Sequence, residues 1–367
     1  MEKIIFILSI LIFSIESKAQ IHLLDRPDLL KKIETELSFT YSNDFTKARA
    51  ELSVLQKLIP DHPVLSFMEA LNVYWENFPL TPNNPKSLDF LNLLEDACMK
   101  GTLMLEKDPE SLEGLFFELF PRALYSEFWA DNGKPGKVFP YLNSMYHRTL
   151  KGMEVQDKFK EFYFTSGLYN YYMEAYPEKH PAYKPVKLLF QAGDKEKGLN
   201  QLIYCSKNAV YVKNEARSFL AYIYMNYESN PLEASLYAAG LYREFPRNPL
   251  YVGRYAEILI YSNKFAVADI IVNNLNNLPG DFAKMEYHLY KGLLDEKYRK
   301  NYELAFQEYT TALKMAEKYE DAGAVFNAMV WMGLGRYYQS KKDFSSANKY
   351  FRMAQNVSTY EYVINDK

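Results

Sequence analysis

The chain has 367 residues, long enough for one large or two ordinary globular units, and its 17 Pro and 15 Gly are too few for a collagen-like or Pro/Gly-rich disordered polymer. Charge is balanced, 43 Lys+Arg against 46 Asp+Glu for a formal net of -3, which argues against the basic footprint that a nucleic-acid binder needs to displace phosphate counterions. Aromatics are the excess: 32 Tyr, 24 Phe and 3 Trp make up 16% of the residues, and tyrosine's apolar face with its polar tip suits either a packed amphipathic network or an adhesive groove.

At the start, Met1-Glu2-Lys3 precedes an apolar run from Ile4 to Ile15, with small residues at Ser17 and Ala19. This is the pattern of a secretory signal over residues 1–19, cut between Ala19 and Gln20. A membrane anchor would need about 20 apolar residues to cross the hydrocarbon, and this run ends in Glu16-Ser17-Lys18. Gln20 stands where a lipoprotein would carry Cys, and no second apolar stretch of spanning length follows. The expected product is therefore exported, without a transmembrane segment, to the periplasm or outside the cell.

The next signal is the turn Asn43-Asp44-Phe45-Thr46-Lys47-Ala48, after which Leu52, Leu55 and Pro60 fall four, seven and twelve residues beyond Ala48. From 84 the helices lengthen. Asn84-Pro85 starts one that runs to Leu105, and a largely apolar helix from Ser111 to Trp129 follows, which Pro121 should kink or end. Beyond the turn Gly133–Gly136, helices over 137–151 and 157–175 are expected to pair as a hairpin. Cys98 and Cys205 both lie in apolar helical context, as two unpaired buried thiols or one long-range bridge.

The aromatic block Phe162–Tyr176 cannot present all its rings on one helical face. Phe164, Leu168, Tyr171 and Ala175 share one stripe, Tyr169, Tyr172 and Tyr176 another, and Gly167 marks a close approach to a neighbouring helix. An extended Pro-rich loop at 177–185, carrying His180, is expected next. The block is either the core of a helix covered on both sides or a ligand surface beside a rigid loop, with Tyr169, Tyr172, Tyr176 and His180 as its contacts.

From 191 to 358 one arrangement recurs. Gly198, Ala234, Ala268, Ala305 and Ala347 follow one another at intervals of 36, 34, 37 and 42 residues, and Ala48 stands in the same relation to its own polar turn. The last four each have a small partner on the helix before: Ala221 thirteen residues before Ala234, Ala256 twelve before Ala268, Gly292 thirteen before Ala305, Gly335 twelve before Ala347. Small residues at those points let antiparallel helices cross closely, with Trp331 and Phe351 filling the wedge beside Gly335 and Ala347.

These positions resemble the tetratricopeptide repeat, most fully over 190–358, less fully over 27–77 and loosely between. The resemblance implies an all-α fold, a right-handed solenoid of stacked antiparallel helix pairs in one continuous superhelical array. Its inner face, made by the first helix of each pair, would hold a peptide or protein segment. The implied inner-face positions are Met329, Met332, Arg336 and Gln339 in the last repeat and Leu250, Gly253, Glu257 and Ile260 in the Ala268 repeat. The two sets share no charge pattern, so nothing resembles the lysine and arginine array of a carboxylate clamp. The block 162–176 with 193–202 is also similar to exported repeat proteins of Bacteroidota-type bacteria and, more distantly, to repeat proteins of the outer mitochondrial membrane.

No GxSxG elbow, HExxH helix or GxxxxGK[ST] loop is present, and His22, His62, His147, His180 and His288 are scattered. The expectation is a non-catalytic protein without cofactor or metal site: a signal over 1–19, helical arrays over 20–190 and 191–358, and a tail over 359–367. Its function would be to bind a protein or peptide partner on the concave face through Met332, Arg336, Gln339 and Glu257. The alternatives are a glycan or small-ligand module using Tyr169, Tyr172, Tyr176 and His180, or a structural subunit of an envelope complex.

Overall fold

The computed structural model describes residues 22–358 and 360–366, so the expected signal over 1–19 lies outside the described residues. Those residues form helices and turns, with no strand among them. In chain order α1 (Pro27–Tyr41) packs on α2 (Phe45–Leu58), α3 (Pro63–Glu76) on α4 (Ser87–Lys107), and α5 (Leu112–Asp131) on α6 (Leu142–Val155). Then α7 (Phe162–Lys179) reaches past the four-residue α8 (Lys184–Lys187) to pack on α9 (Lys195–Asn208). The pairs α10 (Lys213–Asn226) with α11 (Pro231–Glu244), α12 (Pro249–Tyr261) with α13 (Phe265–Asn276), α14 (Asp281–Lys297) with α15 (Tyr302–Ala316), and α16 (Ala324–Ser340) with α17 (Phe344–Val357) complete the stack. A last turn, α18 (Glu361–Ile364), follows. The protein is an all-α solenoid of stacked helix pairs.

Local chemistry explains the pairing. Several first helices end on a residue with left-handed backbone, Asn43, Ser229, Asn263, Lys300 or Lys342, and this conformation reverses the chain. In four of these turns the next residue, Asp44, Asn230, Asn301 or Asp343, accepts a hydrogen bond from a backbone N–H in the first turn of the second helix. Stop and start signals thus sit side by side. The second helices then cross the first on small side chains: Ala48, Ala234, Ala268, Ala305 and Ala347 are all buried. At Gly198 a Cβ would fall 2.5 Å from the backbone nitrogen of Tyr171, so α7 and α9 touch backbone to backbone.

The stack curls until its beginning meets its later repeats. The ring of Tyr41, at the end of α1, lies 5.6 Å from Phe245 and 6.3 Å from Tyr251, and Asn248 Nδ2 donates to the Tyr41 carbonyl at 3.2 Å. Phe78, after α3, meets Phe282 of α14 edge-on at 5.0 Å. One buried cluster accordingly runs from Leu23 to Tyr251, and another continues from Val252 to Val363.

The middle of the chain departs from the sequence reading. Helix α5 runs through Pro121 without ending, because Phe116, Phe117, Phe120 and Pro121 are all buried and their packing outweighs one lost backbone bond. Two 3-10 turns, Pro135–Lys137 and Phe139–Tyr141, occupy the stretch expected to begin a helix, so α6 starts at Leu142. The main partner of α7 is α9 and not α6. The stretch 177–185 is not an extended loop: Pro177 belongs to α7, Pro181–Tyr183 is a 3-10 turn and α8 follows. Proline's fixed φ fits the first turn of a helix, which is where Pro181 and Pro185 fall. Cys98 and Cys205 are both free and buried; burial pushes the Cys98 thiol up to about 12 and the Cys205 thiol up as well.

Candidate partner-binding face

First helices of successive pairs touch one another, α1 with α3, α3 with α5, α12 with α14 and α14 with α16. That places them on the inner side of the curl. Their inward polar residues are unusual for their burial. Glu257 on α12 is 2% exposed, Glu296 on α14 is 5% and Arg336 on α16 is 9%. Charged groups this far from water persist only when paired.

The pairing is explicit. Arg336 donates through Nε and, at 2.8 Å, through Nη2 to the two oxygens of Glu296. Burial pulls the guanidinium's proton affinity down, but Glu296 outweighs it and the net shift is upward. Glu257 accepts from the Tyr290 hydroxyl at 3.3 Å and from Arg254 Nη1 at 3.4 Å. Glu286 lies against Gly253, and burial, reinforced by the Glu257 charge, pushes its carboxyl well above the ordinary range.

This face is occupied. The stretch Tyr360–Asp366, which the sequence reading treated as a tail, runs along it and touches five first helices. Lys179 of α7 reaches Glu361 at 3.3 Å. The Tyr222 ring of α10 meets Tyr360 edge-on at 5.9 Å. The Tyr362 hydroxyl donates to Glu257 of α12, and its ring meets Tyr261 edge-on at 4.8 Å. Asp366 takes Lys297 Nζ of α14 at 2.5 Å and Arg336 Nη1 of α16 at 3.0 Å on its carboxylate, and Nη1 also donates to its carbonyl at 2.5 Å. Val363 is wholly buried between them.

The expected contact residues divide. Arg336 and Glu257 lie on this face, and the Tyr360–Asp366 stretch covers both. Met332 has no exposed surface, since its side chain belongs to the core, and it cannot contact a ligand. Gln339 is exposed near the end of α16. In the aromatic block Phe164, Tyr171 and Ala175 are buried and the second stripe is half-buried. Tyr169 donates to the Gln191 carbonyl at 2.7 Å, 6.0 Å from Tyr146. Tyr172 meets Tyr227 edge-on at 5.3 Å, and Tyr176 lies 4.3 Å from His180 and 5.1 Å from Tyr183. The sequence reading missed Tyr222, Glu296, Lys297, Tyr360, Tyr362 and Asp366. The available signal was Tyr360-Glu361-Tyr362-Val363-Ile364, too apolar for a solvated tail.

Outside this face, Tyr163 and Tyr204 stand 4.5 Å apart beside an open groove of about 520 Å³ between α7 and α9, lined also by Gln156, Lys197, Asn200 and Gln201. Among the described residues no three His, Cys, Asp or Glu side chains are grouped to share a metal ion, and no helix is long and apolar enough to cross a membrane.

No family model matches the chain, and no curated protein matches it either. Among solved structures it is similar to a human IFIT1 dimer with PPP-AAAA, at 12% identity and a TM-score of 0.44 over 87% of this chain and 69% of that one. It is also similar to a human IFIT1 dimer with m7Gppp-AAAA, at 12% and 0.38 over 86% and 68%. Yeast Tom70 gives 14% and 0.39 over 93% and 80%. With TM-scores below 0.5, these likenesses bear on neither function nor partner.

Proposed function

We propose that the protein is a non-catalytic helical-repeat scaffold that holds a short segment of a protein partner along its inner face, and that it works after export. One observation carries the reading: the face already holds a peptide segment, gripped by single polar groups from α7, α12, α14 and α16 and packed against Tyr222 of α10. Stacked pairs build such a surface because no pair buries its apolar face alone, so the array extends by necessity and its curved side is a by-product of packing. Cations at 179, 297 and 336 suit carboxylates, and the buried Glu257 suits a hydroxyl donor.

A photo-crosslinking residue at Gln339, beside this face, and another at the exposed Leu236 of α11 separate inner from outer contacts in intact cells. A partner adduct from 339 and none from 236 is the expected result; the reverse removes the reading. Export is tested by sequencing the N-terminus of the cellular protein. A chain beginning at Gln20 supports it, and an intact Met1 on a cytoplasmic chain removes it.

A second reading, a glycan-binding module, is favoured by the Tyr163–Tyr204 groove, where two rings stand beside the accessible amide side chains of Gln156 and Asn200. Calorimetry with a panel of oligosaccharides decides it: heat that disappears in Tyr204→Ala supports the module, and no heat removes it.

A further inference from the structure

We propose that Tyr360–Asp366 is an internal stand-in for the partner: the inner face recognises a segment with two tyrosines two residues apart and a carboxylate four residues after the second, and such a segment binds by displacing the protein's own. This rests on the inner-face reading above and adds the partner's chemistry and the competition.

The contacts define the chemistry. Glu257 is buried, and without the Tyr362 hydroxyl it keeps only Tyr290 at 3.3 Å and Arg254 at 3.4 Å, both long for a buried carboxylate. A phenylalanine would fill the same space and leave that oxygen short of a donor, so the site selects tyrosine by the penalty on the unpaired group. At the other end Lys297 and Arg336 converge on the Asp366 carboxylate, and an amide there would remove the negative charge and could accept from only one of the two cations. Tyr222 adds an edge-on ring contact for the first tyrosine.

The segment is also built to leave. α18 is a single turn of four residues, too short to hold a helix by itself, so its order comes from docking. Val363 has no exposed surface, whereas Glu361 and Asn365 are exposed and Tyr362 and Asp366 keep some contact with water. Val363 is the one fully buried side chain of the segment, and its polar contacts are half-buried or exposed, which is the pattern of the less stable parts of a structure. Arg336 keeps Glu296 through Nε and Nη2 when Asp366 withdraws, and the Glu257 oxygen that Tyr362 leaves opens to water. Only a few residues separate the segment from α17, and tethers of that kind give effective concentrations on the order of millimolar. An external segment therefore sees its affinity reduced by the fraction of molecules in which the site is open.

The test uses a fluorescein-labelled synthetic peptide with the sequence of residues 358–367 and the full chain from Gln20. Tyr362→Phe with Asp366→Asn in the protein should release its own segment, read as faster amide exchange at 363–366, and should tighten peptide binding at least about tenfold. The same two changes made in the peptide should weaken its binding to the released protein by a similar factor. Release without gain in affinity, or an altered peptide that binds equally well, overturns the proposal. A measurement on the unmutated protein guards against misfolding of the variant: unlabelled peptide at millimolar concentration should accelerate exchange at 363–366 of the isotope-labelled protein. No acceleration overturns the proposal too. If the peptide fails while partner adducts still form at position 339, the tyrosine and carboxylate chemistry falls and the inner-face reading stands; if adducts form only at 236, both fall.

Discussion

Arg336 and Glu296, on adjacent first helices, form a nearly buried ion pair, with Nη2 of the arginine 2.8 Å from the carboxylate and the Tyr309 hydroxyl donating to the same oxygen at 2.5 Å. Such pairs add little to stability when whole, but removing one partner strands the other's charge. Arg336→Met is therefore expected to cost about 3–5 kcal/mol in urea unfolding. Arg336→Met with Glu296→Gln should recover a large part of it. A single variant with nearly unchanged stability would mean that water reaches Glu296.

Two glycines test the crossings against helix propensity. Gly240 lies inside α11 with nothing within 4 Å of a Cβ added to it, so Gly240→Ala should stabilise by about 0.5–1 kcal/mol through propensity alone. At Gly198 the same methyl would meet the backbone of α7 at Tyr171, and Gly198→Ala should destabilise by about 1–3 kcal/mol. Opposite signs in chemical denaturation are the expected outcome. A stabilising Gly198→Ala would show that α7 and α9 can separate without loss.

Much of the solenoid was legible because its signals are local. A left-handed residue followed by an Asx cap occupies two consecutive positions, as at Asn43-Asp44 and Lys342-Asp343, and a small residue a few positions later repeats the mark in each pair. The α4–α5 crossing escaped notice because it is built on Gly101 and Gly114, where a Cβ on Gly101 would fall 2.6 Å from the Glu118 nitrogen, and neither glycine follows such a turn. The partner of α7 was misassigned for a related reason: a 3-10 turn and α8 intervene before α9, and nothing in 157–175 says which neighbour Gly167 faces. Repeat spacing placed Glu257 and Arg336 on first helices, but their partners Tyr362 and Asp366 lie 105 and 30 residues away. Those partners sit in a stretch with no repeat signal at all, so only the closed curl brings them together.

Glu36 sets a pH dependence. It has no exposed surface; Asn72 Nδ2 donates to it at 2.7 Å and Thr40 Oγ1 at 3.3 Å, yet burial dominates and pushes its carboxyl up to about 8. A folded-state value above the unfolded one means that the native protein binds the extra proton, so this contribution is complete below about pH 4.5 and is lost as pH rises toward 8. The slope from one such group cannot exceed about 1.4 kcal/mol per pH unit. Glu36→Gln keeps the neutral, hydrogen-bonding shape. Its thermal midpoint should be close to that of the unmutated protein at pH 5 and higher at pH 8.5. Parallel curves at both values would assign the dependence to other groups, Glu161 first, whose carboxyl burial pushes up to about 7 although three backbone N–H groups donate to it.

The closure of the curl passes through Tyr41. Its ring touches Trp75 at 5.7 Å on the neighbouring α3 and Phe245 and Tyr251 across the gap, while its hydroxyl donates to Glu215 of α10. The side chain thus joins repeats more than 170 residues apart in sequence through both apolar and polar contacts. Tyr41→Phe keeps the rings packed and leaves Glu215 without its donor, an expected cost of about 1–3 kcal/mol with the shape unchanged. Tyr41→Ala removes the apolar joint as well, and a buried aromatic truncated to alanine costs about 3–5 kcal/mol. Because the pairs on either side keep their own crossings, that loss should appear first as an opening of the array. Small-angle scattering should give a larger radius of gyration for Tyr41→Ala than for Tyr41→Phe under conditions where both retain full helical circular dichroism. An unchanged radius would mean that Asn248 on the Tyr41 carbonyl and Phe78 against Phe282 hold the curl shut without this ring.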